Sequence, residues 1–453
     1  MKKICISAFI AVGLFLMACP SEDESASKST PESTSESTSS STSESTPESA
    51  SESFFDTRTE GLFDATFTAQ TVYFESMDEL ASIDEGKQIY KFKKTSAKAN
   101  ELKTGSILLL HGSALRKVTK VSEDGNEIVA ETSDATLNEL IKDGTLEWET
   151  HVGFNSSQTA SKSANLAATK PLVRIQIADK TYQPTSQTNK EVKFESEIGG
   201  YAYQMLIKPE GDSAYVKLEV TKKMAAGGTG KFTAEGRISG LSSSNRIEFG
   251  NSKLKSFSNK NKNLKGELTL SLTALGPLND NVSLELPVVL MEIPQMVGPI
   301  PVFLRLKLIV SIATQLPVVG AANKSIHFTY DAETGFKYNG TDVEPDASGG
   351  GFSAEEKSGD GVSGPSMTLI QYGIGFPRFE VGIFKNVVVP WIQTAFVIGG
   401  EYTPGINLCR QMFAEYSGSY GYEFGFFGLK SKASKNLWKE KKFLQKIGKC
   451  PDR

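Results

Sequence analysis

The chain is poor in the residues from which most active sites are built. Its 453 residues include three histidines, three tryptophans and four cysteines. The histidines, His111, His151 and His327, stand far apart in sequence. A zinc site or a Ser-His-Asp triad therefore has little to draw on. No G-x-S-x-G, H-E-x-x-H or P-loop occurs, and Gly227-Gly228-Thr229-Gly230 lacks the Lys-Ser/Thr that would complete a phosphate loop. Residues 346–366 are expected to form a long Gly/Ser loop, which contains Asp360-Gly361 but not the alternating oxygen ligands of a calcium loop. No catalytic residue, metal ligand or cofactor is expected. A pair of carboxylates, all that a glycosidase needs, is available to any chain of this size, so a glycan-active enzyme stands as a third reading.

Charge of one sign is missing as well. The net charge is −4, and residues 20–53 alone contribute −7. Everything from residue 54 onward sums to +1. Such a neutral body carries no nucleic-acid footprint. Long apolar runs are scarce too. The most apolar internal stretch, 291–313, holds Glu292, Arg305, Lys307 and three prolines, which excludes a membrane-spanning helix.

What is present begins at the N-terminus. Lys2 and Lys3 precede an apolar stretch of 15 residues, Ile4–Ala18. That is short for a spanning helix, which needs about 20, and suits a signal-peptide core. The stretch ends Leu16-Met17-Ala18-Cys19, which resembles the lipobox of bacterial lipoproteins: Leu three before the cysteine and a small residue directly before it. Met17 is a less common residue at the middle position. The resemblance implies removal of residues 1–18 and acylation of Cys19 by diacylglycerol and a further chain such as palmitate. More than one chain is required because a single chain holds only marginally. The implied location is the cell envelope, on the extracytoplasmic side of a membrane, at the outer membrane or cell surface.

Residues 20–53 are nearly all Ser, Thr, Glu and Pro in a degenerate STPES/STSES repeat without large apolar residues. The composition predicts a disordered tether, able to span about 30 Å as a coil and about 100 Å when extended.

Beyond the tether the pattern is of strands. In 54–152, short strands are expected at Thr68–Phe74, Gln88–Phe92, Ser106–Leu110, Leu115–Val121 and Glu127–Thr132, with Asp124-Gly125 as a turn. A short helix, Ala135–Lys142, capped by Ser133-Asp134 and ended by Asp143-Gly144, is expected before a strand at Leu146. Residues 102–149 resemble a β-rich segment of exported bacterial proteins to which no activity is attached. The resemblance implies a small β-rich module. A polar stretch, 155–170, reads as the link to a main domain, 165–453.

In the main domain, apolar residues alternate along Glu191–Glu195, Ala214–Val220, Gly266–Leu272 and Val302–Ile312. Ser325–Tyr330 and Gly335–Tyr338 read as a hairpin joined at Asp331–Thr334. With 40 glycines and 18 prolines, the pattern indicates a mainly β protein: an antiparallel β-sandwich or partly open barrel, preceded by the small module. Tyr416, Tyr420, Tyr422, Phe424 and Phe426 share one parity of YSGSYGYEFGF. Their row is either core or the lining of a ligand cleft. The tail, Asn436–Lys449, shows Leu437, Lys441, Leu444 and Ile447 at helical spacing, and predicts a basic amphipathic helix packed on the sheet, with an anionic membrane surface as the alternative seat. Cys409 and Cys450, an even pair in an exported chain, are expected to form a disulfide.

The sequence therefore points to a non-catalytic, membrane-anchored surface lipoprotein that presents a β-rich body to bind a protein, glycan or lipid, or to support the envelope. A carrier of hydrophobic ligands with an apolar cleft is the alternative.

Overall fold

The computed structural model describes residues 56–153 and most of 175–451, with interruptions at 178–179, 183, 189–190, 199, 212, 224–226, 277, 281–287, 317–319, 347–350, 385–386 and 430–431. The leader, Cys19, the tether and the 155–170 link lie outside the described residues. Three sheets account for nearly all of the regular structure, and the class is mainly β as the patterning indicates.

The first sheet is organised by one long hairpin. Strands Thr229–Ser239 and Leu241–Phe249 keep one register against Leu254–Leu275 as far as Glu248, with Ile238 opposite Gly266 and Ser242 opposite Lys262. The hairpin bends between its halves. There Ser239 Oγ donates to the carbonyls of Asn263 (2.8 Å) and Lys265 (2.9 Å), and Asn263 takes a positive φ of 62°. The bend lets the two halves take different neighbours. Thr229–Ser239 pairs with Ser213–Lys223 and, through it, with Tyr201–Glu210 and Val192–Ile198. Leu241–Phe249 pairs instead with Ile141–Gly153, which pairs with Asp56–Phe67. On its other edge Leu254–Leu275 carries Ala321–Tyr338, followed by Phe352–Ser363.

The second sheet is an antiparallel meander of long strands: Val288–Val297, Ile300–Leu316, Thr368–Ile383, Val387–Thr403, Cys409–Glu423 and Lys432–Gly448. Its inner face packs on the first sheet through rings. Phe232 meets Tyr372 at 5.0 Å, Phe328 meets Phe396 at 5.4 Å, and Phe336 stacks on Tyr420 at 5.8 Å. Such pairs add roughly 0.5–1.5 kcal/mol each beyond their burial. On the outer face, large side chains lie across glycines of the next strand: Phe303 over Gly382, Trp391 over Gly421 and Phe413 over Gly399.

The third sheet is small, with six strands between Thr71 and Asp134, inserted between Asp56–Phe67 and Ile141–Gly153 of the first sheet. Its strand Ile107–Leu110 is buried on both faces. Leu108 and Leu110 join the small core, while Ile107 and Leu109 join the main one. A continuous apolar run is the sequence of a strand covered on both sides.

Four local expectations are corrected. The tail is not a helix: Lys432–Gly448 is an edge strand paired with Cys409–Glu423. Register shifts between Gly418 and Ser419, and between Met412 and Phe413, leave Leu437 and Leu444 as extra residues on the edge strand. Two bulges seven residues apart reset the alternation, so a strand acquires apolar spacing that imitates a helix. The helix before Leu146 is a single turn, Leu137–Leu140, closed by Glu139 Oε2 accepting from Thr136 N (2.9 Å). The chain passes into a strand at Ile141, and Gly144 sits within that strand at φ 130° against the Ala65 backbone. Asp331–Thr334 is no turn, since Ala321–Tyr338 runs through it. The Gly/Ser stretch 346–366 contains the strand Phe352–Ser363.

Candidate functional site

The aromatic row lies mainly in the core. Tyr416, Tyr420 and Phe424 are buried, whereas Tyr422 and Phe426 are partly covered. Tyr416 is walled by Phe352 (4.9 Å), Phe396 (5.2 Å) and Trp438 (5.8 Å). Tyr422 stacks on Phe424 at 4.7 Å, and Phe426 lies edge-on to Phe384 at 6.2 Å. Tyr416, Tyr420 and Phe424 bind the two sheets together, each meeting a ring of the first sheet: Phe352, Phe336 and Tyr338.

The polar features of this core are more informative than its rings. The hydroxyls of Tyr372, Tyr416 and Tyr420 are buried without a hydrogen-bond partner. Tyr416 Oη lies against Trp438 Nε1 without reaching hydrogen-bond geometry. Burial pushes the phenols of Tyr330, Tyr372 and Tyr416 well above the ordinary tyrosine value, and the charge of Glu440 adds to the effect at Tyr416.

Next to these rings the inner face of the first sheet turns polar. One cross-strand row reads Thr150, Ser243, Asn261, Thr334, and the adjoining row reads Trp148, Asn245, Asn259, Phe336. All eight are buried. The amides form a directional ladder. Asn261 Nδ2 donates to Asn259 Oδ1 (3.2 Å), and Asn259 Nδ2 donates to Asn245 Oδ1 (2.7 Å). From the second sheet, Gln295 Nε2 donates to Thr150 Oγ1 (2.9 Å). The ladder ends on a bare donor, Asn245 Nδ2, and a bare acceptor, Asn261 Oδ1, and Thr334 Oγ1 is also unpartnered. Each such buried group costs roughly 1–3 kcal/mol. Leu241-Ser-Ser-Ser-Asn245 and Ser256-Phe-Ser-Asn-Lys-Asn261 carry the signal in the sequence: polar residues on the parity that elsewhere holds Ile247 and Phe257. That parity is visible only once the strands are paired.

The outer face of the second sheet holds a buried charge cluster. Glu380 is 2% exposed and is shared by Lys307 (2.6 Å) and Arg378 (2.9 Å), with Arg378 stacked on Trp391 at 4.2 Å. The histidines remain apart, each with its own neighbour. His111 Nδ1 meets Tyr73 Oη at 2.6 Å, His151 lies 3.5 Å from Glu149, and His327 Nδ1 meets Thr269 Oγ1 at 3.0 Å. Cys409 and Cys450 form the expected disulfide, which ties the end of the edge strand to its neighbour. Among the described residues, no three His, Cys, Asp or Glu side chains are grouped to hold a metal ion, and no helix is long and apolar enough to cross a membrane. No family model matches the chain, and neither a curated protein nor a solved structure matches it.

Proposed function

We propose that the protein is a non-catalytic bacterial lipoprotein, held in an envelope membrane by acylated Cys19, whose β body binds a partner or supports the envelope. The observation that carries the non-catalytic part is the chemistry of the interior polar patch. Its members are neutral amides and hydroxyls, which hold hydrogen bonds at fixed geometry and exchange no proton near neutral pH. Such a set suits recognition or rigidity rather than acid–base turnover. Cys19 supplies the anchor on the strength of the Leu16–Cys19 resemblance.

Intact-mass measurement of the detergent-soluble protein made in a bacterium tests the anchor. The expected species begins at Cys19 and carries acyl mass; an unmodified N-terminus would overturn the anchored reading. A second reading, the hydrophobic-ligand carrier, is favoured by the unpartnered tyrosine hydroxyls beside apolar rings, a setting that suits an amphiphile. Native mass spectrometry separates the two, because a carrier releases a bound lipid and a binding body does not.

A further inference from the structure

Eight large hydrophobic side chains are exposed among the described residues, and five of them gather at one end of the molecule. Leu275 closes a strand beside Thr229 and Ala321. Met367 immediately precedes Thr368, which pairs with Tyr402. Ile406 and Leu408 lie in the connection between Thr403 and Cys409, which pair with each other. Ile447 pairs with Arg410, one step before Gly448 meets Cys409. The rim is continuous: Gly276 N donates to Gly320 O, Leu278 pairs with Leu316, and Gln315 pairs with Leu369. Five strands of the second sheet end along it, a span of about 19 Å at the usual strand spacing. Ile406 is 99% exposed on a Pro404-Gly405 tip, a position with no packing role. Scattered single apolar residues on a surface are ordinary, but five on one rim are not.

The same rim is basic. Lys223, Lys446 and Lys449 are exposed there, and Arg410 donates to the carbonyl of Asp360, an exposed acid of the same end. Lys446 lies over the Phe443 ring at 5.0 Å. Aliphatic tips with lysines beside them complement a bilayer whose headgroups are anionic: the tips enter the acyl boundary while the flexible lysine stems carry their ammonium groups back among the phosphates. We propose that this end of the β body docks on an anionic lipid surface. The proposal relies on the anchored reading for a bilayer within reach of the tether, and on the rim alone for the chemistry of contact.

The test uses the chain from residue 19 with Cys19→Ala, which carries no acyl group; its Ser51–Arg453 part is a compact unit. Flotation with phosphatidylglycerol-rich vesicles should recover this protein, and pure phosphatidylcholine vesicles should recover much less. Ile406→Ser with Leu408→Ser should weaken binding roughly tenfold per side chain. Lys446→Gln with Lys449→Gln should weaken it roughly fivefold each on anionic vesicles, with no change on phosphatidylcholine. Because Ile406 is fully exposed, loss of binding with an unchanged circular dichroism spectrum reports the contact itself. The proposal is overturned if the unacylated protein ignores anionic vesicles, or if the Ile406/Leu408 variant binds as the parent does. It is equally overturned if that variant instead dissociates a dimer seen by sedimentation, which would make the rim a contact between copies. An unacylated Cys19 in the intact-mass experiment would sink the anchor and leave the vesicle result standing.

Discussion

Replacing Tyr372 by Phe should make the protein more stable. The ring is fully buried against Phe232, and its hydroxyl has no partner. Removing the oxygen relieves roughly 1–3 kcal/mol of desolvation and forfeits a few tenths of a kcal/mol of dispersion. The expected net gain is about 1 kcal/mol. A second readout follows from titration. Burial raises the native phenol above its ordinary value, so the unfolded chain loses its proton first, near pH 10. Its titration leaves stability unchanged below about pH 10 and lowers it as pH rises toward the native value, at up to about 1.4 kcal/mol per pH unit. Tyr203, Tyr330 and Tyr416 are raised for the same reason, so the parent should unfold steeply in alkali, and Tyr372→Phe should remove one tyrosine's share of the slope. Urea titrations by circular dichroism and by fluorescence, at neutral and alkaline pH, supply both numbers if the two probes coincide. A loss of 1 kcal/mol at neutral pH would refute the reasoning, because it would mean that the hydroxyl has a partner in solution. An unchanged alkaline slope would refute the burial argument independently.

Three further outcomes are expected. Cys409→Ser opens a loop with a sequence separation of 41 and should cost about 4 kcal/mol in the chain-entropy account, with hydrogen exchange rising first along the last residues of Lys432–Gly448. Glu380→Gln leaves Lys307 and Arg378 side by side without their shared carboxylate and should cost about 3–5 kcal/mol, read as a lowered urea midpoint. Gly382→Ala places a methyl 1.9 Å from the Phe303 ring and should cost about 1–3 kcal/mol, whereas the same change in a Phe303→Leu background should cost less, a non-additivity that a double-mutant cycle measures.

Much of the architecture was legible because alternation along one strand is a local property. Ala214–Val220 and Val302–Ile312 bury the side chains that their parity marks. The disulfide was legible because only two cysteines, Cys409 and Cys450, fall beyond residue 19. Where a strand carries an extra residue, local reading fails: Leu437 and Leu444 are bulge positions, and their spacing of seven imitated a helix. It fails again at Asp331–Thr334, where residues of a turn-like composition are kept in the strand by pairing to Leu254–Leu275 on both sides of a bulge, Asp331 and Ala332 on one side and Thr334 on the other. The amide patch was hidden for a related reason. Asn245 and Asn259 look like surface residues until Trp148 and Phe336 are seen flanking them in the same buried row, with Ser243 and Asn261 buried in the row beside it.

By itself the sequence determined the class of fold and the cysteine pair, because each depends on residues close together or on simple counts. Only the tertiary structure decided which polar residues are buried, that the 71–134 sheet is an insertion in a larger one, and that five aliphatic side chains share one rim. Those depend on which strands become neighbours. Pairing is set by the packing of both faces of every strand at once, and no single segment carries that information.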